Sequence, residues 1–67
     1  MLQPHQQRVV DENEQLREKI SKLVIFLKSD TFSGLDFDEQ RRLIQQLGFM
    51  KAYAQVLEAR IKAWTEG

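Results

Sequence analysis

Cysteine is absent, and the chain holds a single histidine, a single proline and three glycines. Without cysteine there is no disulfide framework and no thiolate zinc site. The lone His5 sits near the N-terminus, so Ser21, Ser29 and Ser33 have no positioned base and a nucleophilic triad is excluded. Three scattered glycines make no phosphate-cradling loop. The longest apolar run, Leu23–Leu27, has five residues, far short of the ~18 that a membrane span needs. Neither sign of charge is in excess: ten Lys+Arg balance ten Asp+Glu. Bulk electrostatic attraction to DNA is therefore not expected. The opening MLQPHQQR lacks the basic-then-apolar pattern of a secretion signal, so a cytoplasmic protein that does not contact membrane is expected. At 67 residues a second domain does not fit.

The carboxylates do not add up to chemistry either. Asp36/Asp38 and Asp11/Glu12/Glu14 fall where helix starts are expected, and capping and the helix dipole account for them. No spacing matches a calcium loop. No enzyme activity, metal or cofactor is expected.

What is present is periodicity. Val9, Asn13, Leu16, Ile20, Leu23 and Leu27 follow a 4-3-4-3-4 spacing, and Leu43, Leu47, Met50, Ala54, Leu57, Ile61 and Trp64 continue it in a second segment. This is the seam of one helix packed lengthwise on another. The expected fold is all-α: an antiparallel two-helix, coiled-coil-like hairpin in a single domain, 1–67. Its helices span about 5–28 and about 38–65, joined by a connection over about 29–37. Pro4 suits a first helical position. Ser29 or Asp30 caps a short turn around Thr31–Ser33, Gly34 permits a reversal, and Asp36 with Glu39 resembles a capping box. Phe32, Leu35 and Phe37 are expected to plug the end of the helix pair. Pairing outward from the turn sets Leu27 against Leu43, Leu16 against Ala54 and Asn13 against Leu57.

The second helix carries another apolar line. Phe49, Ala52, Val56, Ala59 and Ala63 lie opposite the seam, and a lone hairpin leaves them wet. They predict a homo-oligomeric helical bundle, a dimer or higher, built on the second helix. A chain this short buries only about 60% of its unfolded surface, and partner subunits are a usual remedy. Gly48, mid-helix, is expected to mark a close contact.

The register also sets out the flanks. Glu12 falls level with Arg60 as an expected ion pair, and Lys19 falls level with Tyr53, where a cation and a ring can bracket a planar base. Arg17 falls level with Lys51. Two opposed cations call for an anion, either a neighbouring subunit's carboxylate or a ligand phosphate, unless both are simply solvated. Arg41-Arg42 is too short a basic run to imply nucleic acid, and Asp38 can pair with Arg42.

RVVDENEQL, KLVIFL, TFSGLDFDEQRRL and QLGFMKAYAQVLEARI together give a layout that resembles small phage helical-hairpin proteins. They are similar to the cyclic-nucleotide sponge hairpins that counter CBASS and Thoeris immunity. That resemblance implies a homo-oligomer that sequesters cyclic oligonucleotide signals between protomers without cleaving them, in the host cytoplasm. Arg17, Lys19, Lys22, Lys51 and Tyr53 are the ligand-binding candidates by their chemistry. The alternative is a small helical module that binds a host or phage protein, anchored by Phe26 or Phe32, with no small ligand.

Overall fold

The computed structural model describes residues 2–66. Three helices follow in order: α1, Pro4–Leu27; α2, Asp30–Ser33; and α3, Phe37–Glu66. No strand occurs among the described residues. Both long helices are rich in good helix formers (Leu, Gln, Glu, Lys, Arg, Ala) and carry no internal proline.

Local chemistry sets each boundary. Pro4 takes the first turn of α1, where its missing N–H leaves no bond unmade. The backbone N–H of Gln3 donates to Gln6 Oε1 at 2.8 Å. At the far end the hydroxyl of Ser29 donates to the Phe26 carbonyl at 2.6 Å, closing α1. The same oxygen accepts from the Phe32 N–H at 3.2 Å, opening α2. One serine thus ends one helix and starts the next. Asp36 caps α3, its carboxylate accepting from the Glu39 N–H at 2.7 Å.

Gln40 then ties the connection down. Its side-chain amide donates to the carbonyls of Phe32 at 2.9 Å and Leu35 at 3.2 Å. The first turn of α3 is thereby tied to the carbonyls of the connection, that of Phe32 also accepting from the Leu35 N–H at 3.1 Å. Phe32 meets Phe26 edge to face, ring centroids 6.2 Å apart, and joins α2 to the end of α1. Leu35 is half-buried as well. Phe37 does not join this plug. It is the first residue of α3, 71% exposed, with the Arg41 guanidinium 5.9 Å from its ring centre. Gly34 has φ −83°, so the reversal does not use its left-handed freedom. Asp11, Glu12 and Glu14 stand beyond the first turn of α1, because the helix begins at Pro4.

α1 and α3 pack side by side and antiparallel, giving a rod 47 × 16 × 14 Å. Two polar links cross between them, one on each flank: Tyr53 bonds to Glu12, and Arg17 pairs with Glu58. The core is thin. Leu57 is fully buried, Val9 and Ala54 nearly so, and the other seam residues are half-covered. Inside it, Asn13 Oδ1 is buried without a hydrogen-bond partner. An orphan acceptor of this kind costs about 1–3 kcal/mol.

Candidate functional site

The two flanks of the hairpin differ in chemistry. On one, the Tyr53 hydroxyl donates to Glu12 Oε1 at 2.5 Å. The bond to that carboxylate, then desolvation and the negative charge of Glu12, push the Tyr53 phenol above its ordinary value of 10.0, while the positive charge of Arg60 opposes the shift. Glu12 therefore serves Tyr53 instead of the expected Arg60. Arg60 lies over the Trp64 ring, 5.6 Å from its centre, four residues along the same helix. Lys19 is exposed.

On the other flank, Arg17 forms an ion pair with Glu58 of its own chain. Arg17 therefore does not stand opposed to Lys51, which lies seven residues along α3 from Glu58. Lys51 and Lys22 are exposed. Arg17 and Tyr53 reach across opposite flanks, so the five candidates do not converge on one site within a protomer. Phe26 and Phe32, the expected protein anchors, are half-buried and occupied with each other.

A site that the sequence reading passed over lies on α3. Arg42, Gln45, Gln46, Phe49, Met50 and Tyr53 line a cavity of about 530 Å³. Beside it Asp38, Arg41, Arg42, Ile44 and Gln45 line a second, of about 540 Å³. Shared Arg42 and Gln45 make the two one trough, running from the flank onto the rear of the helix. Tyr53 on its floor is 45% exposed and Phe49 68%. Gln46 donates to Met50 Sδ at 3.7 Å, which holds the floor between them. Arg42 stands 3.6 Å from Glu39, not paired with Asp38, and both groups are largely exposed. That contact is weak in water. Two ring faces beside guanidinium groups suit a planar ring bearing a negative group. The signal was the 4-3-4 spacing of Arg42, Gln46, Phe49 and Tyr53, a row that meets the rear line at Phe49.

The rear line is open. Phe49 and Val56 are 68% and 56% exposed, and Ala52, Ala59 and Ala63 are exposed with them. Gly48 faces space: a Cβ added there meets nothing within 4 Å, so the expected close contact is not made within the chain. Among the described residues no three acidic or histidine side chains gather as metal ligands. No helix there is long and apolar enough to cross a membrane.

Comparison with known proteins agrees with the phage resemblance. The family model described as Sequestin matches residues 3–63. An uncharacterized 7.5 kDa protein from the denB-rIIB intergenic region of Enterobacteria phage T4 is 44% identical over 57 residues, covering 85% of this chain and 89% of the phage protein. No solved structure matches.

Proposed function

The chain belongs to the Sequestin family, and from that premise we propose that it is a phage sponge, a non-enzymatic homo-oligomer that holds cyclic oligonucleotide signals at its subunit interfaces in the host cytoplasm. The observation that carries this reading is the trough on α3, where the exposed rings of Phe49 and Tyr53 stand beside Arg42. A nucleotide has both parts that such a surface takes: a π-face to stack and a phosphate to accept charge-assisted hydrogen bonds. Lys19 shares the Tyr53 flank and adds positive charge there. Arg17, Lys22 and Lys51 lie elsewhere on the hairpin, and ligand reaches them only where a neighbouring subunit brings its own trough alongside. The apolar rear line of Phe49, Ala52, Val56, Ala59 and Ala63 is the surface on which copies meet.

The reading is tested by titration calorimetry against a panel of cyclic di- and trinucleotides, with the recovered ligand analysed for cleavage. Binding with intact ligand is expected. Tyr53→Ala should then weaken it by about 1–3 kcal/mol, the scale of one stacked base. Arg42→Ala should weaken it by about 1.5–3 kcal/mol, the scale of a hydrogen bond to a charged group. Silence across the panel at high micromolar concentration would leave a protein-binding module as the better reading. Phe49 would then be its anchor, since Phe26 and Phe32 are already engaged.

A further inference from the structure

We propose that Glu12 is a specificity-determining residue: it stands at the Tyr53 end of the trough and selects a guanine base there, taking the base's N–H groups on the carboxylate oxygen that Tyr53 leaves free. This deepens the ligand reading above and rests on it. Three observations lead there.

The first is position. Glu12 belongs to α1, yet its Oε1 accepts the Tyr53 hydroxyl at 2.5 Å across the hairpin. Tyr53 lines the cavity together with Phe49 and Arg42. A carboxylate of one helix is thereby set at the rim of a site built on the other. A base laid on the Tyr53 ring brings its edge over the hydroxyl and beside that carboxylate.

The second is the count of hydrogens. An ionised carboxylate only accepts, and a phenol owns one hydrogen. Tyr53 gives that hydrogen to Glu12. What the pair still presents outward is lone pairs alone, on the phenol oxygen and on Glu12 Oε2. Among the described residues no other hydrogen bond and no ion pair engages Glu12. Arg60, whose charge reaches the phenol, lies over Trp64, 5.6 Å from the ring centre.

The third is the fit to a ring edge. A surface of bare acceptors takes an edge made of donors. Guanine sets N1–H and its N2 amine side by side, two donors for one carboxylate, on the edge that a stacked base leaves open to reading. Adenine sets its amine beside a ring nitrogen that accepts, and that lone pair faces those of Glu12. The far end of the trough has the opposite character. Arg42 stands eleven residues from Tyr53, roughly 16 Å along the axis, and takes the phosphate.

The test compares two purine probes that stack alike and differ at the edge. Cyclic di-GMP and cyclic di-AMP are titrated calorimetrically into the wild-type protein and into Glu12→Gln, whose fold is checked by circular dichroism melting. Glu12→Gln keeps an oxygen for the Tyr53 hydroxyl and puts an amide donor where the free acceptor was. The wild-type protein is expected to bind cyclic di-GMP at least about tenfold more tightly, the scale of a hydrogen bond to a charged group. Glu12→Gln should erase that ratio by weakening cyclic di-GMP without weakening cyclic di-AMP. Equal losses for the two probes mean that Glu12 only braces the hairpin, and overturn the inference. A wild-type ratio near one overturns it as well, and so does silence to both probes with binding elsewhere in the cyclic nucleotide panel. In all three cases the ligand reading stands. Silence across the whole panel sinks both.

Discussion

At the scale of single residues, two polar groups set testable terms. Asn13 places a buried carboxamide oxygen in the seam with nothing to bond to. An apolar side chain there removes the orphan acceptor and fills the same layer. Asn13→Leu should raise the free energy of urea unfolding by about 1–2 kcal/mol; a loss of stability would mean that Asn13 has a partner. The account of its retention is register: a polar residue at one seam position disfavours slipped pairings. Tyr53 is the second. Its phenol is raised above 10.0 in the folded chain by the bond to Glu12. The contribution of that bond is therefore fully present below the unfolded value near pH 10, and is lost as pH rises through the raised folded value. Phenolate absorbance of this single tyrosine should titrate above pH 10 in the folded protein and fall back on unfolding. Tyr53→Phe should flatten the drop in melting temperature over the same pH window. An unshifted folded titration contradicts the bond.

At the scale of elements, much of the hairpin can be read from spacing and caps. Val9, Ala54 and Leu57, the most buried residues, are all members of the predicted seams. Ser29 and Asp36 cap where their sequence context placed them, because a capping oxygen needs only the next three residues. The failures are long-reach contacts. A level-by-level register set Arg17 beside Lys51, yet it pairs with Glu58. A register read from apolar spacing places backbones, and a long Arg, Glu or Tyr side chain reaches two turns along the groove from its level. Gln40 was invisible for a different reason: its bonds to Phe32 and Leu35 exist only once α2 has folded back on α3. Gln40→Ala frees those carbonyls and should cost about 1–2 kcal/mol in urea unfolding. It should also speed amide exchange from residue 29 to residue 36. No change in either would reduce Gln40 to a surface residue. The trough was missed because Phe49 and Met50 were already assigned to the rear line and the seam, while Arg42, Gln45 and Gln46 belong to neither.

At the scale of the whole molecule, the issue is how little one hairpin buries. A rod 16 × 14 Å in section has room for one shared layer of side chains, and among the described residues Leu57 alone is fully enclosed. Meanwhile Phe49, Val56, Ile44 and Phe37 stand more than half exposed on α3. Bringing the rear line out of water contributes about 25 cal/mol for each Å² covered, a gain available only from another chain. This is also where sequence and structure meet most directly. The second apolar line was legible in the spacing, and the fold leaves it uncovered in a single copy.

The central claim, that the rear of α3 is covered by a second copy, is tested most directly by sedimentation equilibrium of the free protein at low micromolar concentration. The account predicts a folded, helical species of at least twice the 7.9 kDa chain mass. A single well-folded 7.9 kDa species under those conditions would contradict it.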